Sequence, residues 1–384
     1  MRHLSIDIFC RVVDNLGDIG VSWRLAKQLA SEHGVSVRYI VDNLEVFQKF
    51  APDCNLLELC GDTQELTKSG RINTSWICEG VSVLPWCEDL LKLVYKDTAQ
   101  VVLETFGGGL PEHVISLMLV KPTTWLDIQY LSAEDWVPRF HAIPSFHPSS
   151  NLERTLFFPG FSTTTGGLLR EIKLLAQRDK FQGDVAAQNF WRAQLGLPDL
   201  NPDVIDASFF SYADASVDAF VKAVRNSPRP VRIFLTSGVD PILSQRLKNE
   251  SYGLDVYQLP FLSQIDYDRL LWTCNINFVR GEDSWVRAIW SGRPFLWHIY
   301  RQENNTHFRK LSAFLKAYTT QMGQNSGDSI EKLMFLWNEG ESKNFTPFAA
   351  LESWTEEACN FANQVANQTD LASRILEYVQ QRQS

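Results

Sequence analysis

The sequence runs to 384 residues, 45% of them hydrophobic and 21% charged, with 24 Phe and 12 Trp. Such a chain is too long for one ordinary core, so two domains are expected, and disorder is excluded as a theme. A formal charge of -9 argues against a nucleic-acid partner held by a broad basic face, although a local basic pocket stays open.

Residues 5–13 read as a buried first strand. The apolar run at the start is too short for a signal peptide, Asp7 interrupts it, and no run of eighteen apolar residues follows, so a cytoplasmic location without a membrane partner is expected. The seven cysteines, at 10, 54, 60, 78, 87, 274 and 359, form no C-x-x-C pair or zinc spacing and suit free thiols. Residues 20–32 read as a helix with Trp23, Leu25, Ala26, Leu29 and Ala30 inward, stopped by Gly34, and 35–41 as the next strand. This βαβ unit should have a right-handed parallel crossover.

Further strands are expected at 81–85, 99–106 and 121–128. The stretch 144–195, rich in Pro, Gly, Ser and Thr and then charged, reads as an interdomain region. A second α/β segment follows with strands at 206–214, 231–238, 254–260, 275–280 and 294–299. Strand-helix alternation in both halves predicts an α/β chain of two Rossmann-like domains, 1–190 and 191–365, facing each other across a cleft.

Asp14 and Asp18 fall between the first strand and its helix, where ligands lie in open α/β sheets. They could equally be a turn former and an N-cap. Between 274 and 300 a strand ends at Arg280, turns at Gly281, and enters a helix around Ser284 that Gly292 closes. Unpaired amides at that helix start favour a phosphate, and Arg280 adds a charged donor. Glu282 and Asp283 should then turn toward sugar hydroxyls, whereas the bland alternative makes Asp283 or Ser284 a simple cap.

Ser263 should cap the next helix upstream. Asp266 and Asp268 form a D-x-D pattern there but do not share a helix face, so first-turn placement is preferred over metal binding. Phe210 and Tyr212 should point the same way, into a core or under a base. The glycine-rich run 104–113 lacks G-x-G-x-x-G spacing, and His113, His141 and His147 read as structural or surface residues.

Together, "DNLGDIGVSWRLA", "FFPGFSTTTGGLLRE", "LPFLSQIDYDRLLW" and "NFVRGEDSWVRAIWSGRPFLW" resemble the bacterial protein-arginine rhamnosyltransferase (EarP) family that modifies translation elongation factor P. The resemblance implies an inverting GT-B glycosyltransferase with an amino-terminal acceptor domain, a carboxy-terminal donor domain and a last helix, 366–384, that crosses back to the first. It also implies dTDP-β-L-rhamnose as donor, an arginine of elongation factor P as acceptor, and neither cofactor nor metal. Asp14 and Asp18 would act at the acceptor arginine, the second as the favoured general base. Arg280, Glu282, Asp283 and Ser284 would surround the diphosphate and reacting sugar, with Glu282 counted as catalytic. Phe210 and Tyr212 would flank the thymine, Phe261 and Gln264 would contact the donor, and Tyr300 would lie on the phosphate side. Two other readings stay open: a GT-B transferase for a small-molecule or lipid acceptor, and an inert adaptor that binds nucleotide sugar.

Overall fold

A computed structural model describes residues 4–13, 15–54, 76–250, 255–349 and 351–383. The chain divides into two compact units, residues 1–171 with 368–384 and residues 172–367. The first ends ahead of the boundary expected at 190, because the helices Leu174–Gln182 and Val185–Gln194 belong to the second.

The first unit is built on eight strands: β1 (Ser5–Cys10), β2 (Ser36–Val41), β3 (Trp76–Cys78), β4 (Val81–Pro85), β5 (Val101–Thr105), β6 (Thr124–Ile128), β7 (Ile143–Phe146) and β8 (Glu153–Phe157). Their order is β3-β4-β2-β1-β5-β6-β8-β7, parallel except for β3 against β4 and β7 against β8. Alternation along β1 divides its side chains between two cores. Ile6, Ile8 and Cys10 join Trp23, Leu25 and Leu29 of the helix Asn15–His33, while Phe9 joins Leu84, Val102 and Trp125. Asp7, fully buried in this strand, is held by Arg38, by the Tyr95 hydroxyl and by the Ala99 amide.

The last helix, Leu371–Gln383, buries Leu371, Ala372, Ile375 and Val379 in the same core as Trp23. These positions fall on one face of the helix. Gly167 permits that return: its φ is +71°, and a Cβ there would stand 2.3 Å from the Thr369 carbonyl oxygen.

The second unit holds β9 (Ile205–Phe209), β10 (Val231–Leu235), β11 (Asp255–Gln258), β12 (Ile276–Arg280) and β13 (Phe295–His298). They form one parallel sheet in the order β11-β10-β9-β12-β13. Both sheets therefore reverse direction beside their first strand, between β1 and β5 in one unit and between β9 and β12 in the other. That is the ligand-binding position of doubly wound sheets.

Three expectations are corrected. The helix after β1 begins at Asn15 rather than 20, which puts Asp18 within its first turn instead of at its cap. Residues 143–157, read as part of an interdomain region, contribute β7 and β8; Pro144 is tolerated because β7 is an edge strand. Cys54 and Cys78, expected as free thiols, form a disulfide with Cα atoms 6.2 Å apart, within bridging reach. Cys10, Cys87, Cys274 and Cys359 are free, and Cys60 lies outside the described residues.

Candidate active site

In the first unit, the carboxyl end of β1 leads directly into the helix that carries Asp18. Asp18 is 2% exposed. Its Oδ2 accepts the Val13 amide at 2.8 Å and its Oδ1 accepts the Tyr130 hydroxyl at 3.2 Å. Two donors on separate chain segments fix the orientation of the carboxylate. Below it the Ser22 hydroxyl donates to the Asp18 carbonyl at 2.6 Å and lies 2.8 Å from the Tyr39 hydroxyl. Burial pushes the neighbouring Cys10 thiol up to about 11, so it stays protonated at neutral pH. Asp14 lies outside the described residues.

Across the reversal point, β5 runs into Phe106 and three glycines. Phe106 has a φ of +59° and stacks on Tyr130, with ring centroids 4.6 Å apart and an interplanar angle of 17°. Gly108 is required by packing, because a Cβ there would stand 2.8 Å from Arg11 Cβ. Glu104 ties the loop down, accepting the Gly109 amide at 2.8 Å and the Trp125 indole N–H at 3.1 Å. Beside it in register on β6 lies Asp127, raised to about 6 by burial and then by the Glu104 charge.

In the second unit, Phe210 and Tyr212 follow β9 just past its end. The Phe210 amide donates to the Phe278 carbonyl at 2.9 Å, which continues the pairing to β12. Arg280 ends β12, with its guanidinium carbon 4.5 Å from the Phe210 ring centroid and 4.6 Å from that of Tyr212. Its Nη2 donates to the Gly238 carbonyl at 3.1 Å. Gly281, at φ +64°, turns the chain into the helix Asp283–Ser291. Ser284 is buried and bonds back to the Arg280 backbone, donating to its carbonyl and accepting its amide. Glu282 occupies the cap position without a side-chain cap bond, so the helix start is not sealed by its own side chain.

The family of elongation-factor P (EF-P) rhamnosyltransferases, EarP, matches residues 6–380 of this chain. The chain belongs to the EarP family. Protein-arginine rhamnosyltransferases of Pseudomonas aeruginosa and Pseudomonas putida are each 38% identical to it, covering 97% of this chain and 98% and 97% of their own. The solved structure described as the basis for EarP-mediated arginine glycosylation of translation elongation factor EF-P superposes with a TM-score of 0.63 at 29% identity, covering 98% of this chain and 99% of that one. The glycosyltransferase VinC in complex with dTDP shares the fold, with a TM-score of 0.50 at 12% identity.

 That superposition takes in 99% of this chain and 100% of VinC. The chain has the GT-B glycosyltransferase fold, and its family and relatives make it an enzyme.

The candidate site residues group by unit. Asp18 lies at the first reversal point; Phe210, Tyr212, Arg280, Glu282, Asp283 and Ser284 lie at the second. Tyr300 follows β13 and is exposed, with its ring 5.5 Å edge-on to that of Tyr212. Phe261 is half-buried in the turn before the helix Gln264–Thr273, where Gln264 is buried at the first position. Ser263 caps that helix as expected, accepting the Asp266 amide.

The D-x-D acids face different ways, as the helical spacing requires. Asp266 accepts from the Trp191 indole and from Arg269, while buried Asp268 holds Arg287 through two bonds of 2.8 and 2.6 Å. Of the three histidines read as structural or surface residues, His141 is held neutral, its pKa lowered to about 4 by burial, and accepts the Phe158 amide. Sequence reasoning missed Tyr130, Phe106 and the Gly238 carbonyl. Tyr130 carried one signal, its place two residues past the carboxyl end of β6; the other two contacts are set by loops that have no periodicity to read.

Proposed function

We propose that this protein transfers L-rhamnose from dTDP-β-L-rhamnose to an arginine side chain of elongation factor P, with inversion at the sugar carbon. The observation that carries the reading is the match of the EarP family to residues 6–380, which takes in every assigned site residue. An arginine guanidinium, with its pKa above about 12, is a poor nucleophile, so the reaction needs carboxylates to orient it and accept its proton. What supports the general-base assignment of Asp18 is its place just past the carboxyl end of β1, where ligands lie in doubly wound sheets, with donors on both oxygens holding its carboxylate in one orientation. Asp14 and Glu282 are the other acids assigned to the chemistry, and negative charge beside the reacting sugar would favour an oxocarbenium-like transition state.

On the donor side, Phe210 and Tyr212 offer aromatic faces for thymine. Phe261 and Gln264 would contact the nucleotide sugar, Asp283 and Ser284 would lie around the sugar and diphosphate, and Tyr300 would approach the phosphates. Arg280 and the amides that open the helix Asp283–Ser291 would stabilise the departing dTDP without a metal or other cofactor. In keeping with that, Asp266 and Asp268 are engaged with protein side chains. Among the described residues no helix is long and apolar enough to cross a membrane, and a cytoplasmic enzyme without a nucleic-acid partner fits the proposed substrates.

The test is the intact mass of elongation factor P after incubation with this protein and dTDP-rhamnose. A gain of one deoxyhexose on an arginine is expected. Nucleotide-sugar binding without any gain would overturn the transfer reading in favour of an adaptor.

A further inference from the structure

The Phe210–Tyr212 segment lies beyond the end of β9, so the ladder that orders the sheet does not by itself orient Tyr212. The structure supplies another anchor. The Tyr212 amide donates to Nδ1 of His298, the last residue of β13, at 3.3 Å. His298 is 2% exposed, and its ring packs 5.6 Å from Tyr212 and 5.7 Å from Trp337. Its Nε2 is directed to the other side, 3.7 Å from Asp214 Oδ1, and Asp214 in turn pairs with Arg301 at 2.8 Å.

We propose that His298 is a positioning residue for the donor nucleotide: through its Nδ1 it fixes the backbone at Tyr212, and with it the aromatic pair that Arg280 covers. The inference rests on the donor reading above. An acceptor at Nδ1 requires the ring proton on Nε2, on the Asp214 side. Burial, the largest influence, holds the imidazole neutral, with its pKa lowered to about 4; Arg301, Arg280 and His307 reinforce this, and Asp214 opposes it. Protonation would put a hydrogen on Nδ1 facing the Tyr212 N–H, two donors against each other. The same ring also ends the strand that leads to Tyr300, so one side chain joins two segments assigned to the nucleotide.

Two substitutions separate this role from simple filling of space. His298→Phe keeps a ring but has no acceptor. His298→Asn loses ring volume but offers Oδ1 from the same side-chain position as Nδ1. Calorimetry with dTDP on the full chain should show His298→Phe weakened about tenfold, the upper worth of one lost hydrogen bond. His298→Asn should recover most of that loss, although its smaller side chain should melt no higher than the Phe variant. In rhamnosyl transfer, the Phe variant should raise the KM for the donor with kcat little changed.

Parental dTDP affinity in His298→Phe, or equal weakening in both variants, would overturn the positioning role while leaving the donor assignment in place. A parent protein that binds no dTDP would overturn the donor assignment itself and the positioning role with it.

Discussion

Asp18 combines two properties that a turn residue would not need together: near-complete burial, and a hydrogen bond to each carboxylate oxygen. Asn can keep the contact to Val13 but loses charge and basicity, so Asp18→Asn should fold and bind dTDP as the parent does while losing most transfer activity. A variant that melts several degrees lower yet turns over normally would return Asp18 to a structural role. Tyr130→Phe removes one of these donors and should slow transfer by about tenfold or more, the usual worth of a hydrogen bond to a charged group. Asp127 differs in kind. Its carboxyl is raised from 3.8 to about 6, by burial first and then by Glu104, so the folded state holds a proton that the unfolded state has released between those values. The resulting stability is present below pH 4 and lost as pH rises through 6. Asp127→Asn should therefore gain about 2–3 kcal/mol over the parent at pH 7 and little at pH 4. Urea melts at the two pH values read this directly; an equal effect at both would remove the assigned cause.

Among the elements, the proposed donor site stands on two helices joined by a buried ion pair. Asp268 on Gln264–Thr273 grips Arg287 on Asp283–Ser291 with both oxygens, and both side chains are nearly inaccessible. Removing one partner should strand the other charge: Asp268→Ala is expected to destabilise by about 3–5 kcal/mol, and Asp268→Leu with Arg287→Met to recover much of it. Chemical denaturation of both variants checks this, and a single substitution that costs no more than the double would show that the pair is dispensable. The same two helices show why some elements were readable. Ser263 and Gly292 announce their ends by local chemistry, and β1, β10 and β12 announce themselves as short apolar runs. The start at Asn15 was hidden because "DNLGDIG" carries glycines and acids that mimic a loop, and β7 was hidden by Pro144 and by the polar turn that follows it. Asp18 and Arg280 were legible because strand ends are where doubly wound sheets place ligands. Tyr130, Gly238 and His298 were not, since each reaches the site through a contact distant in sequence.

At the scale of the whole molecule, acceptor choice is the property that a single residue cannot explain. The proposed target is one cationic side chain, and a chain of net charge -9 would attract many arginines without distinguishing them. Specificity requires further surface, either a folded interface of about 1,200–2,000 Å² or a smaller transient one. The proposed enzyme should therefore recognise the folded domain of elongation factor P that displays the arginine loop, with most contacts made by the first unit, which carries Asp14 and Asp18. A short peptide of the loop would present the guanidinium but little of that surface, and it would also lose conformational entropy on binding. Its kcat/KM should fall well below that of the isolated folded domain at equal concentration. The loss should persist at high salt, because screening weakens the long-range attraction common to both substrates more than it weakens close packing. Equal kcat/KM for peptide and domain would mean that the enzyme reads local sequence, and the surface of the first unit would then have no part in choosing the acceptor.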